Sequence, residues 1–314
     1  MTKQYPIESL PVTRLTPNGT IRNNDLITVE EPLEIQLIFN DGLQLSRKKI
    51  AVTMRTPGND FELALGFLFT EGIIEDVTQV KAIQYCQQVE PEYLGNVITV
   101  IVKEEVTVNI DTLTRNFFTS SSCGVCGKAS IESVNTVSGS PFFQKVDTVL
   151  SQSQLFHLTE KLRKEQTIFK YTGSIHAAGL FDFEGNLLLI NEDVGRHNAV
   201  DKLIGSALQQ KLLPAKERII VVSGRAGFEL VQKSVMAGIP VMGAVGAPSN
   251  LAIKLAKKVN MALIGFIKKE SYNMYVTQTE KAIARPSKTY HYEMSYNDSS
   301  SLEKDAQWQI TSDQ

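Results

Sequence analysis

The chain has 314 residues, 42% of them hydrophobic, and a formal net charge of −2. That is enough apolar material for one large or two small cores, with no global basic field to draw in nucleic acid or a membrane surface. Three cysteines are too few for a disulfide framework, Met1 to Pro11 lacks a secretory signal, and no apolar run nears the roughly 20 residues of a bilayer span, so a soluble cytoplasmic protein with reduced thiols is expected.

Residues 1 to about 30 read as a polar lead-in punctuated by Pro6, Pro11, Pro17 and Gly19. From Glu34 to Arg55 apolar residues alternate: Ile35, Leu37 and Phe39, then Leu43 and Leu45, then Ile50, Val52 and Met54. Asn40-Asp41-Gly42 lies between the first two runs and signals a hairpin. A helix is expected next, with Asn59 as its cap, Glu62 at the reciprocal position of a capping box, Leu63, Phe67 and Leu68 on one face, and Gly72 at its end. Val97–Val102 and Val106–Ile110 read as further strands. Cys86 closes a half-apolar run and reads as a small buried hydrophobe. This first part, residues 20–116, is a β-rich N-terminal subdomain with one buried helix.

Residues 117–150 hold Cys123-Gly124-Val125-Cys126-Gly127-Lys128 directly after Thr119-Ser120-Ser121-Ser122. Small and polar residues on the N-terminal side predict a mobile connection, and Ala129–Val137 a short helix. Further helices are expected at Leu155–Arg163, across Val200, Leu203, Ile204, Ala207 and Leu208, at Gly227–Met236 and at Ser249–Lys258. Strands are expected at Ala177–Asp182, Leu187–Asn191, Ile219–Val222, Pro240–Ala244 and Met261–Ile267. Strand and helix alternating at this spacing over 151–277 predict β-α-β units and a parallel or mixed sheet. Residues 278–314 are polar and without period, which reads as a flexible tail.

Two thiols at C-x-x-C spacing can hold a metal from one side, cycle between dithiol and disulfide, or carry a sulfur atom. A closed structural zinc site needs four ligands. Cys123 and Cys126 supply two, so zinc would require Cys86, a distant histidine or a second subunit. A redox motif of the thioredoxin kind normally sits beside a β-α-β unit, whereas this pair follows a serine run. A thiol near a helix start and beside Lys128 has a lowered pKa, which suits a carrier. Elsewhere, polar clusters mark four element junctions: Gly173-Ser174-Ile175-His176, Glu192 to Asn198, Ser223 to Gly227, and Gly246 to Asn250. The last three open helices, whose free N–H groups favour anions, and Arg196 and Arg225 can add forked contacts to phosphate. His176 and His197 sit at such junctions. His157 falls in an amphipathic helix, where a structural role is the plainer reading, and His291 lies in the tail and is discounted.

These stretches, taken in order, resemble the formate dehydrogenase accessory sulfurtransferase (FdhD) family. The resemblance rests on Arg55-Thr56-Pro57-Gly58-Asn59-Asp60, Leu65 to Gly72, Ser122 to Gly127, Thr172 to Ala178, Glu192 to Ala199, and Ser223-Gly224-Arg225. It spans about residues 20 to 277. Ser174 stands where the family often has a second glycine and Gly246 where serine is common. The resemblance implies a cytidine-deaminase-like mixed sheet with flanking helices in an α/β (α+β) fold, and a homodimer. It implies a sulfur carrier that takes persulfide sulfur from a cysteine desulfurase. The carrier passes that sulfur to the bis(molybdopterin guanine dinucleotide) molybdenum cofactor, as formate dehydrogenase requires. Cys123 then matches the persulfide-bearing thiol and Cys126 its assisting partner. The family's cofactor-binding stretch falls on Phe266, Ile267, Lys268, Lys269, Glu270 and Ser271, and His176, Arg196, His197 and Arg225 are the further candidates for holding the cofactor. No permanently bound metal, nucleic-acid partner or membrane partner is expected. The alternatives are a cofactor-binding chaperone without sulfur transfer and a zinc-binding structural protein. Zinc deaminase chemistry is not expected, because His176-Ala177-Ala178 lacks the glutamate of an H-x-E motif.

Overall fold

In this computed structural model the described residues are 4–42, 44–106, 108, 143, 152–278, 290–294 and 308–312. The alternating N-terminal run folds as β3 (Glu31–Asn40) and β4 (Leu45–Arg55), paired antiparallel around the expected turn. Leu33, Ile35, Leu37 and Phe39 all point into the core, the period of two that one buried sheet face requires. In β4 that period breaks. Ile35 pairs with Ala51 and Gln36 with Lys49, so Ile50 is the extra residue of a bulge. Beyond it the inward set switches to Ala51, Thr53 and Arg55, while Val52 and Met54 turn to solvent. A bulge re-aims side chains, and here it drives a guanidinium into the protein. Arg55, wholly buried, donates to both carboxylate oxygens of Asp60 (3.1 and 3.0 Å), to Asn96 Oδ1 and to the Gly95 carbonyl. Tyr85 donates to Asp60 as well, and burial together with that carboxylate raises its phenol pKa.

Ahead of this hairpin, the stretch read as a lead-in forms another, β1 (Ile7–Thr16) with β2 (Gly19–Thr28), turning at Pro17-Asn18. Its burial gave no sequence signal because nearly every position on both strands is exposed. β5 (Val80–Tyr85) and β6 (Val97–Val102) complete a sheet of order β4-β3-β6-β5, with β6 parallel to β3. Val106 and Val108 lie outside any strand, and the rest of the strand expected at 106–110 falls outside the described residues. So does the helix expected at Ala129–Val137. Cys86 is buried as expected.

Helix α1 (Asp60–Thr70) follows β4 and ends at Gly72, where φ is +70°. The expected capping box does not form. Asn59 sits at the cap position in the left-handed region, φ 53°, and makes no side-chain cap. A cap side chain reaches the first-turn amides from an extended backbone, which this is not.

The second unit is a sheet of order β12-β11-β10-β9-β7-β8. Its strands are β7 (His176–Asp182), β8 (Leu187–Asp193), β9 (Arg218–Val222), β10 (Val241–Ala244), β11 (Ala262–Gly265) and β12 (Asn273–Val276). β9, β10 and β11 run parallel, and the other three run against their neighbours. Alternate residues face opposite layers. Leu180, Ile220, Val222, Met242 and Leu263 pack under α4 (Arg196–Gln209), α5 (Phe228–Met236) and α6 (Asn250–Val259). Phe181, Ile219, Val221 and Ile264 pack against Leu155, Leu158 and Leu162 of α2 (Gln152–Glu165). A short helix, α3 (Thr167–Thr172), precedes β7. The expected mixed sheet flanked by helices, beside a β-rich N-terminal unit, is therefore what the chain builds. Within 278–314, read as a flexible tail, β13 (Tyr290–Met294) and β14 (Trp308–Ser312) pair antiparallel. No helix among the described residues is long and apolar enough to cross a membrane.

The two units are joined where α1 crosses α4. A methyl group built at Gly66 would stand 1.8 Å from the Asp201 carbonyl oxygen, and one at Gly205 would stand 1.9 Å from that of Glu62. Two helix backbones touch there with no side chain between them. Beside the crossing, Lys233 donates to Thr70 (3.0 Å) and Asp201 (2.9 Å), and Thr70 donates to Asp201 (2.9 Å). Burial opposes the charge on Lys233, but Asp201 and Glu71 outweigh it and raise its pKa. Gly66→Ala or Gly205→Ala is expected to destabilise the protein by at least about 3 kcal/mol, the upper end of overpacking costs, because the obstacle is backbone and not a movable side chain. Denaturant unfolding of the two variants measures it, and a loss under about 1 kcal/mol would mean that the helices can separate freely.

Candidate functional site

The parallel strands β9, β10 and β11 end on one edge of the sheet, and the antiparallel β7 begins there. In open sheets of this kind that edge is where ligands gather. The register sets Ala178 opposite Val222, which brings His176 level with Gly224. A Cβ on Gly224 would lie 3.2 Å from His176 Nδ1, so the imidazole rests against bare backbone. Ser223 extends the pairing, with its N–H donating to the Ala177 carbonyl and its hydroxyl accepting from the Ala177 N–H. The next loops are laced to this one. Gly246 N–H donates to Gly224 O, Ala226 N–H to Ala247 O, and Phe266 N–H to Gly246 O. Phe266 holds φ at +53° and leaves its ring partly exposed. Such a backbone is strained for a residue with a side chain, and it turns the chain off β11 along the β10–α6 loop.

One further loop completes the edge. Asp193 ends β8 opposite His176 and is fully buried. Its Oδ1 accepts from Gly195 N–H (2.8 Å) and Asn198 Nδ2 (3.1 Å), and its Oδ2 from Thr56 N–H (3.1 Å) and Lys202 Nζ (2.7 Å). Lys202 also donates to the Thr56 carbonyl at 2.8 Å, and Thr56 Oγ1 accepts from Val194 N–H. Thr53 and the Met54 carbonyl both bind Asn198. The start of α4 is thus tied to the β4–α1 junction of the other unit. Burial pushes the Asp193 carboxyl up and Lys202 pulls it back.

Three helices open on this edge, but not equally. α4 and α5 begin after Gly195 and Gly227, neither of which supplies a side-chain cap, so among the described residues their first-turn N–H groups remain for an anion. α6 is capped by Ser249, whose Oγ accepts from Ala252 N–H. His176 is half-buried. Burial lowers its pKa, with Arg196 and His197 adding to the effect and Asp193 opposing it. His197 faces Glu229 of α5, Nε2 to Oε2 2.9 Å.

The fold therefore brings His176, Arg196, His197, Arg225 and the 266–271 segment to a single edge. Ile267 turns inward and packs in the core against the α2 layer, whereas Lys268, Lys269, Glu270 and Ser271 are exposed. Cys123 and Cys126 lie outside the described residues. Sequence reading missed Lys202, Thr56 and Glu229 as parts of the site. The run Glu192 to Asn198 gave a signal for Asp193, but nothing local marks Thr56, 137 positions away, or Glu229 as the partner of His197, and Lys202, early in α4, carries no cue of its own.

The model of the FdhD/NarQ family matches residues 29–282. The chain belongs to this family. The matched span starts just after β2 and covers the β-rich unit and the whole six-stranded sheet. A relative named sulfur carrier protein FdhD from Mycolicibacterium paratuberculosis is 46% identical over 267 residues, 84% of this chain and 94% of its own. A protein of the same name from Saccharolobus solfataricus is 38% identical over 275 residues, 88% of this chain and 98% of its own. A crystal structure from Desulfotalea psychrophila, assigned as a formate dehydrogenase accessory protein, superposes with a TM-score of 0.66. It covers 89% of this chain and 100% of its own at 23% identity, and so speaks for the fold alone.

Two outcomes follow from this geometry. Asp193→Asn keeps the shape but leaves Lys202 buried without its counter-charge, so unfolding free energy should fall by about 3–5 kcal/mol, and an unchanged denaturation midpoint would show that the pair does not hold the loop. The second concerns acid. Because the folded-state pKa of His176 lies below the ordinary 6.5, the unfolded chain takes up the proton first on acidification. Stability should therefore decline as pH drops below about 6.5, and His176→Gln should flatten that part of the profile. Thermal unfolding across pH for both proteins reads the difference, and superimposable slopes would refute it.

Proposed function

We propose that this protein is a sulfur carrier with sulfurtransferase activity, serving formate dehydrogenase maturation. The observation that carries the reading is the sheet edge itself. Two uncapped helix starts, two arginines, two histidines and an exposed aromatic converge there, in a chain that also bears the Cys123/Cys126 pair. The membership of the FdhD/NarQ family and the relatives' name support the same reading.

The edge suits a large phosphorylated ligand. Free first-turn amides and guanidinium groups match pyrophosphate, and an exposed ring matches the flat face of a base or pterin. We take the substrate to be the bis(molybdopterin guanine dinucleotide) molybdenum cofactor, bound by His176, Arg196, His197, Arg225 and the exposed part of Phe266–Ser271. The donor is a cysteine desulfurase, and a cytoplasmic homodimer is the working form. In loading, the Cys123 thiolate attacks the outer sulfur of the desulfurase persulfide. A new S–S bond forms, the old one breaks, and the desulfurase cysteine leaves as thiolate. Cys126 is the neighbouring thiol that assists release.

Intact-mass analysis after incubation with a cysteine desulfurase and cysteine tests this. The expected result is a gain of one sulfur atom mapped to the Cys123 peptide, and no gain in Cys123→Ala. Equal loading of the two proteins would defeat the carrier assignment. Formate dehydrogenase activity retained in cells carrying only the Cys123→Ala/Cys126→Ala protein would favour a chaperone that binds the cofactor without passing sulfur.

A further inference from the structure

Among the buried acids Glu229 differs from Asp60 and Asp193. Asp60 and Asp193 each accept hydrogen bonds on both oxygens. Glu229 uses one. Its Oε2 meets His197 Nε2 at 2.9 Å, with the two side chains 11% and 17% exposed. Its Oε1 is buried and has no hydrogen-bond partner among the described residues. Buried acceptors left open are rare and call for a reason. Lys233, one turn further along α5, lies within electrostatic range of the carboxylate and is itself engaged with Asp201 and Thr70. Among the described residues, the one directed contact of Glu229 is therefore the ring that stands second in α4, beside Arg196 and within electrostatic reach of His176.

A carboxylate oxygen only accepts, so the imidazole nitrogen that faces it carries the proton. A neutral imidazole has one N–H. With that hydrogen fixed at Nε2, Nδ1 is left as a lone pair. We propose that Glu229 is a positioning residue that keeps the His197 hydrogen on Nε2, so that in the neutral imidazole Nδ1 is offered as an acceptor to an N–H or O–H donor of the ligand on the sheet edge. A pyrophosphate bridge carries no such donor at neutral pH, so His197 reads the base, pterin or sugar part of the ligand, and the arginines and helix starts take the charge. The ligand half of this inference rests on the function proposed above; the tautomer does not.

Long-range 1H–15N correlation spectra of the 15N-labelled full chain, recorded at mildly alkaline pH, give the tautomer directly. The expected wild-type pattern for His197 has a protonated Nε2 and an unprotonated Nδ1. The reverse pattern would overturn the proposal whatever the protein carries. In Glu229→Gln the amide can turn its NH2 toward Nε2, and the pattern should shift toward Nδ1–H. Glu229→Asp should restore the original one at least in part. Sulfur loading of Cys123 should be equal in all three proteins, and formate dehydrogenase maturation should fall about tenfold in Glu229→Gln, the scale of one lost hydrogen bond, with recovery in Glu229→Asp. If the wild-type tautomer is as expected and loading fails in every protein, the carrier reading is at fault and the positioning role stands. If Glu229→Gln leaves both tautomer and maturation unchanged, Glu229 does not position His197. Should Glu229→Gln fail to fold, the wild-type spectrum and Glu229→Asp still decide the tautomer.

Discussion

The contact on which the molecule turns is the crossing of α1 over α4, backbone against backbone at Gly66 and Gly205. Each helix belongs to a different sheet. Bringing their axes that close lets polar groups from one unit finish hydrogen bonds begun in the other, as with Thr70, Asp201 and Lys233 on one side of the crossing and Thr56, Asp193 and Lys202 on the other. These are buried charges. Such groups cost much when left alone and repay that cost only when every partner is in place. The fit of the helices is thus what makes the polar ties affordable, and the ties in turn fix the helices to one register.

The same ties reach the functional edge. Asp193 is the last residue of β8 and lies opposite His176, so the carboxylate that anchors the α4 start also sets the strand pair carrying one of the candidate ligands. The start of α4 places Arg196 and His197 next to α5, where Glu229 meets the imidazole. The bulge at Ile50 belongs to this chain of causes. By switching the inward face of β4 it buries Arg55 against Asp60 and turns Thr53 toward Asn198, so the β-rich unit presents an ordered junction to α4. The seating of the loop from Asp193 to Asn198 rests on the N-terminal unit, through Thr53, Met54 and Thr56.

Much of this was legible in the residues. The period-two run from Leu33 to Phe39 and the turn at Asn40-Asp41-Gly42 declare a hairpin through burial and local backbone preference alone. The apolar stripe of Val200, Leu203, Ile204, Ala207 and Leu208 declares α4 in the same way, and all five are buried. The glycine- and arginine-bearing junctions announce themselves by composition. What stayed hidden has a common cause. Val52 and Met54 look like core residues, and only the bulge turns them out. Nearly every position of β1 and β2 is exposed, so no burial pattern marks them. Asn59 has the right side chain for a cap but a backbone set by Gly58 and by the Arg55–Asp60 pair beside it.

By itself, then, the amino-acid order determined the elements whose one face is buried, their sequence along the chain, and the residue types that gather at their junctions, because each of these is settled within a few neighbouring positions. The tertiary structure alone decided which glycines are contacts between helices, that Thr56 and Thr70 of one unit tie to acids and lysines of the other, and that Glu229 meets His197. Those pairings join positions tens of residues apart, and no periodicity or local preference carries information over that distance.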